Sequence, residues 1–268
     1  MLLTELPRLI ATDLDGTLLR SSGAISRRTQ LALRRARAAG IALVMATGRP
    51  ARHVAKIGGA RECGDVVICM NGALLYDLNR KLVLREERLT APMSRALVLS
   101  LREHLPGICF AIEVGLDHGW EPSYALQRRR AEQPSLPVVD ALELCELGAN
   151  KLIARHPDLP IDELILRSRQ VLGERAEVSY SGAPFLEISA PGVSKASGLA
   201  AYCAERGIAQ SEVLGIGDMP NDLPMLEWSG RSVAMANAHQ SVLAAAHETT
   251  ASNDEDGVAA VIERLLSA

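Results

Sequence analysis

Two acidic residues stand two positions apart, Asp13 and Asp15 in "LIATDLDGT" (9–17). They close an apolar run and are followed at once by a glycine and a threonine. A second segment, "GIGDMPND" (215–222), ends another apolar run with Asp218 and Asp222. Taken singly, each has a plain structural explanation. Asp-Gly favours a turn after a strand. Asp218 suits a helix cap, Pro220 the first helical turn, and Asp222 the positive helix end. Brought to one edge of a sheet, the four carboxylates would repel. Two like charges roughly 4 Å apart repel by about 4 kcal/mol at an effective dielectric of about 20. A bound dication removes that penalty. The donors are all oxygens, with no His or Cys in either segment, and this favours Mg²⁺ with room left for a phosphate.

Three further positions carry chemistry. Lys195 follows Ser194, a good N-cap, so its charge opposes the helix dipole. A solvated surface lysine is the ordinary reading. A phosphate at that helix end would give the placement a purpose. Thr47, in "ATGRP", also ends an apolar run. Its hydroxyl and the Gly48 amide either cap the next helix or hold a phosphoryl oxygen. Asn71, in an Asn-Gly turn at another run end, and Arg49 are candidate substrate contacts.

The elements that must position these residues follow a parallel-sheet rhythm. Buried strands are expected at Leu9–Thr12, 41–46, 66–70, 212–218 and 232–237, separated by amphipathic segments. Ser26 caps a predicted helix that stops at Gly40. Asp13, Thr47, Asn71 and Asp218 all fall at carboxyl ends of strands, where open parallel sheets bind ligands. Between the two halves the rhythm changes. A hairpin is expected around 78–80, then a mixture of helices and antiparallel strands to about 188. The expected division is a core of residues 1–84 and 189–268, interrupted by an inserted α/β domain, 85–188.

Composition narrows the class. The chain has 268 residues, 48% apolar and 23% charged, with a net charge of −3. No basic footprint for nucleic acid or anionic lipid is present, and aromatics for base stacking are scarce. The five cysteines are scattered, without metal-ligand spacing, and read as buried thiols of a reducing compartment. Pro7 and Asp13 interrupt any apolar leader, and no apolar run approaches the ~20 residues of a membrane span. A cytoplasmic location and no membrane partner are the expectation. The Arg128–Arg130 run reads as a solvated helix face. Motifs for a serine hydrolase elbow, a zinc protease or a P-loop are absent.

These segments resemble the haloacid dehalogenase-like (HAD) hydrolases, specifically the Cof-type phosphatases with a class IIB cap. "DLDGT", "ATGR", Lys195 in "GVSKASGL" and "GDMPND" occur in the family's order. "NGA" at 71–73, "SVAMANA" at 232–238 and "SNDEDGVA" at 252–259 are also similar. The resemblance implies a doubly wound, Rossmann-like parallel sheet with an inserted α/β cap containing an antiparallel sheet. It implies Asp13 as a nucleophile forming an aspartyl-phosphate, and Asp15 as the acid that protonates the leaving alcohol and then deprotonates water. Thr47, Gly48, Lys195 and Asn221 would hold the phosphoryl group. Mg²⁺ would be bound by Asp13, the Asp15 carbonyl and Asp218, with Asn221 and Asp222 orienting its waters or the phosphate. Asp15 argues for phosphate esters, since the dehalogenases of the superfamily lack a second Asp. Ala196, where many relatives have Gly, and "MANA" in place of M-G-N-A are the departures.

The implied function is a Mg²⁺-dependent phosphatase for a small phosphorylated metabolite, a sugar phosphate or phosphorylated cofactor, acting as a monomer or small homo-oligomer. A phosphosugar mutase with the same nucleophile, or a phosphometabolite-binding protein without turnover, stay open on the sequence.

Overall fold

The structure, a computed structural model, describes residues 6–126 and 133–267. The Arg128–Arg130 run lies outside the described residues. The chain divides into two compact units, Met1–Arg85 with Ser194–Ala268, and Glu86–Val193.

The first unit is built on an eight-stranded sheet. Its strands are β1 (Leu9–Thr12), β2 (Ala42–Ala46), β3 (Val66–Cys69), β4 (Leu74–Asp77) and β5 (Leu82–Glu86). After the second unit's five strands come β11 (Val213–Gly217), β12 (Arg231–Ala234) and β13 (Glu248–Thr249). The spatial order is β13-β12-β11-β1-β2-β3-β4-β5. β13 through β3 run parallel, and β4 turns back antiparallel on β3. β1 is flanked by β2 and β11, so the chain leaves it in both directions. This is the topological switch where such sheets bind ligands.

Every residue of β1 and β11 is buried. Such near-continuous apolar strands need helices on both faces. On one face, Leu9, Val44 and Ile68 pack with Leu199, Tyr202 and Cys203 of helix Lys195–Glu205 and with Met225 and Leu226 of helix Leu223–Trp228. Helices Arg27–Ala38 and Gly257–Leu265 pack together. The first of these starts where expected, with the Ser26 side chain accepting from the Thr29 N–H.

The second unit carries β6 (Cys109–Val114), β7 (Asp117–Trp120), β8 (Lys151–Arg155), β9 (Glu177–Ser179) and β10 (Leu186–Ser189). They form an antiparallel sheet in the order β7-β6-β8-β10-β9. One face, with Phe110, Ile112, Leu152, Ala154, Leu186 and Ile188, joins Leu97, Val98 and Leu101 of helix Ala91–His104 and Leu164 and Leu172 of helix Ile161–Leu172 in one core. Strand alternation turns Lys151 and Glu187 to the other face, where their side chains pair at 2.5 Å, both almost fully buried. The architecture is an α/β parallel-sheet core with a separate antiparallel α/β unit. Among the described residues, no helix is long and apolar enough to cross a membrane.

Candidate active site

Asp13 leaves the end of β1 and Asp218 the end of β11. Parallel pairing, with Thr12 opposite Ile216, brings these ends together. The Asp13 N–H extends the ladder to the Ile216 carbonyl at 2.9 Å. Both carboxyls are buried. Asp222 comes from the single helical turn Pro220–Asp222 and is fully buried. Ligand oxygens of Asp13, Asp218 and Asp222 lie within 4.8 Å of one another.

Lys195 is the first residue of its helix. Ser194 and Ser197 close that helix start with reciprocal side-chain-to-backbone bonds, a capping box. The Lys195 side chain does not reach solvent. Nζ donates to Asp13 Oδ1 at 2.5 Å and to Asp222 Oδ1 at 2.6 Å. The other Asp222 oxygen accepts from the Asp218 and Met219 N–H groups, both at 3.0 Å. Asp222 thus spends both oxygens on holding Lys195 and the loop after β11. Close approach of this helix depends on small residues. A Cβ on Gly72 would sit 2.0 Å from the Ser194 carbonyl oxygen, and the position has φ +109°.

The loop after β1 is locked onto Asp218. Thr17 Oγ1 donates to Asp218 Oδ1 at 2.7 Å. Gly16 has φ +78°, and a Cβ there would lie 2.3 Å from Asp218 Oδ2. Sequence reasoning missed the Thr17 contact. The available signal was a hydroxyl two residues beyond the second acid of an Asp-x-Asp pair.

Electrostatics show a cluster short of positive charge. Burial pushes the Asp13 carboxyl well above the usual range, and Asp222 and Asp218 add to this against the pull of Lys195. Burial also lifts Asp218 to about 6, opposed by the Thr17 hydrogen bond and helped by Asp222. Burial works against the charge of Lys195, but Asp13 and Asp222 outweigh it and hold its pKa above the lysine value. Three ionised carboxylates against one ammonium leave two charges uncompensated.

The remaining predicted residues surround this cluster. Thr47, buried after β2, accepts the Arg49 N–H on Oγ1 at 3.1 Å. Gly48 lies between them in the same turn. The Thr47 carbonyl accepts the Asn71 N–H at 3.0 Å. Met70 and Asn71 both have positive φ, 52° and 56°. Asn tolerates that region, whereas Met is strained there. Asn221 Nδ2 donates to Asn71 Oδ1 at 3.1 Å, so the two amides meet. Asn221 Oδ1 has no hydrogen-bond partner among the described residues. The Asp15 carboxylate is not in the buried cluster. It is half exposed and paired with Arg49.

The donor set fits a hard divalent ion. It offers buried oxygens only, carries an excess negative charge, and includes an orphaned amide oxygen beside it.

Comparison with known proteins agrees with this geometry. The family model described as "haloacid dehalogenase-like hydrolase" matches residues 10–262. A relative from Escherichia coli (strain K12) named pyridoxal phosphate phosphatase YbhA is 31% identical, over 95% of this chain and 97% of its own. A second, 5-amino-6-(5-phospho-D-ribitylamino)uracil phosphatase YitU from Bacillus subtilis (strain 168), is 29% identical over 97% and 98%. Among solved structures, the HAD phosphatase BT1666 from Bacteroides thetaiotaomicron superposes with a TM-score of 0.82 at 26% identity, covering 98% of this chain and 96% of that one. With the match running through both units and the acidic cluster at the switch point of the sheet, the chain belongs to the haloacid dehalogenase-like hydrolases.

Proposed function

We propose that this chain is a Mg²⁺-dependent phosphatase that hydrolyses a small phosphorylated metabolite through an aspartyl-phosphate on Asp13. The observation that carries this reading is the contact of Lys195 with Asp13 inside the buried carboxylate cluster. A nucleophilic carboxylate must meet a dianionic ester, and a buried ammonium beside it offsets that repulsion. Asp13 and Asp218, with the Asp15 carbonyl, would hold Mg²⁺. When bound, the ion neutralises charge on the phosphoryl oxygens and on the nucleophile.

The chain's own residues then divide the work. A carboxylate oxygen of Asp13 bonds to phosphorus as the ester P–O bond breaks. The electron pair goes to the leaving alkoxide, which takes a proton from Asp15. Thr47 has spent one lone pair on the Arg49 amide and keeps its O–H to donate to a phosphoryl oxygen. The Gly48 amide and Asn221 complete that cradle, and Asn71 orients Asn221. Asp222 keeps Lys195 aimed at Asp13. Water finally attacks phosphorus, Asp15 takes its proton, and Asp13 is released.

The substrate class rests on the relatives. Pyridoxal phosphate and a phosphoribitylamino-uracil stand in their names. A panel of sugar phosphates and phosphorylated cofactors, scored by phosphate release with Mg²⁺ and with chelator, tests the proposal. Mg²⁺-dependent release from one or a few members is expected. Transfer between hydroxyls without release would favour a mutase, and binding without turnover would favour a sensor.

A further inference from the structure

Arg49, a candidate substrate contact on the sequence, pairs its guanidinium with Asp15. Nε donates to Asp15 Oδ2 at 2.7 Å, and a terminal N–H donates to Asp15 Oδ1. The pair is bidentate, one planar fork on another, and this fixes the plane of the carboxylate. Arg49 is itself anchored at both backbone groups. Its N–H donates to Thr47 Oγ1 at 3.1 Å and its carbonyl accepts the Met70 N–H at 3.1 Å. Asp15 is anchored through its neighbour, whose carbonyl accepts from Asn237 Nδ2 at 2.8 Å. The ion pair therefore ties the loop after β1 to the loop after β2.

Its value to folding is small. The two side chains are 35% and 49% exposed, and pairs of that kind contribute about 1 kcal/mol or less. What remains is orientation and chemical form. A guanidinium only donates, and here both Asp15 oxygens accept from it, so the fork holds neither oxygen as a donor. Held this way, the side chain is arranged to accept a proton from a water. Of the two half-reactions proposed above, only the attack of water needs a base.

We infer that Arg49 is a positioning residue for the second half-reaction, holding Asp15 as the base that activates water against the phosphorylated Asp13. The inference rests on the aspartyl-phosphate reading. In that step the water oxygen bonds to phosphorus as its proton passes to Asp15. The bond between phosphorus and Asp13 breaks, its electron pair returns to the Asp13 carboxylate, and inorganic phosphate departs. In the first half-reaction Asp15 carries the proton, so the fork must release it, and Arg49 gives no help there.

The two halves separate kinetically. With para-nitrophenyl phosphate the leaving group departs without a proton, so kcat/KM reports phosphorylation alone and kcat reports whichever half is slower. Arg49→Ala and Arg49→Lys, checked for wild-type melting, should show a burst of nitrophenolate approaching one equivalent. Their kcat should fall on the order of ten- to a hundred-fold, the lower part of what a general base supplies. Their kcat/KM should hold within about two-fold, with Lys nearer wild type because it keeps the charge and loses the fork. A fall in kcat/KM without a burst would overturn the inference and return Arg49 to substrate binding, as would wild-type kinetics. Asp15→Asn separates the two levels of the reading. If it bursts and the Arg49 variants do not, only the inference fails. If it turns over like wild type, the role of Asp15 itself fails.

Discussion

Lys195 Nζ lies 2.5 Å from Asp13 Oδ1, although Lys195 belongs to the opening turn of a helix and Asp13 to the end of the strand that begins the sheet. The contact spans 182 positions of sequence and is sealed from water. A lysine at a helix N-terminus is electrostatically misplaced unless something nearby is negative. Here Asp13 and Asp222 supply that charge.

Replacing Lys195 by Met should lower kcat by about 10²–10³, the range found for loss of one preorganised donor. The same change leaves three buried carboxylates without their counter-charge. Metal-free protein should therefore melt lower than wild type, and Mg²⁺ should restore more stability to the variant than to the parent. Turnover and thermal melts with and without Mg²⁺ check both parts.

Asp222 and Asp218 should respond in opposite senses to loss of charge. Asp222→Asn cannot serve both Lys195 and the two backbone amides with a single carbonyl oxygen. Breaking such a buried pair costs about 3–5 kcal/mol, so this variant should be destabilised in chelator at pH 7.

Asp218 is held at about 6 in the fold against 3.8 for a free aspartate. Between those values the native state binds more protons than the unfolded chain. Metal-free stability therefore falls as pH rises through that window. Removing the charge with Asp218→Asn should raise metal-free stability at pH 7 by roughly 3 kcal/mol, two pKa units at about 1.4 kcal/mol each. The gain should vanish at pH 4, and Mg²⁺ should no longer stabilise the variant. Urea denaturation at the two pH values measures it.

Gly16→Ala combines a left-handed φ with a Cβ 2.3 Å from Asp218 Oδ2. The backbone strain alone is of order 1–3 kcal/mol. Asp218 must also move, so Mg²⁺ affinity measured by calorimetry should fall at least about ten-fold, far more than for alanine at Gly23, where no atom lies within 4 Å.

All five cysteines are buried, and none is in a disulfide. Burial pushes Cys63 up to about 12 and Cys109, Cys145 and Cys203 to about 11. At pH 8 the native protein should react slowly with a disulfide reagent, and five thiols should appear together on unfolding. A fast-reacting thiol in the native state would contradict this.

Much of the site was legible because chain order and strand ends do the positioning. Apolar runs at Leu9–Thr12 and 212–218 mark buried strands of a parallel sheet, whose carboxyl ends carry Asp13 and Asp218; that the two strands are neighbours is what the pairing of Thr12 with Ile216 adds. Lys195 betrayed itself by standing at the wrong end of its helix. Other contacts left no local trace. Arg49 and Asp15 are 34 positions apart, and Asn221 and Asn71 150 apart, and each residue alone is an ordinary turn residue. β7, "DHGW", lacks the alternation that marks a strand and exists because β6 offers it an edge. The Lys151–Glu187 pair lies on strands that were read correctly, but periodicity gives a face and not a partner.

The central claim is that Asp13 carries the phosphoryl group during turnover. Enzyme quenched in acid while hydrolysing para-nitrophenyl phosphate with Mg²⁺, then reduced with borohydride, should contain homoserine at position 13 when its peptides are sequenced by mass spectrometry. Rapid turnover with unmodified aspartate at position 13, or with the label on another residue, would contradict it.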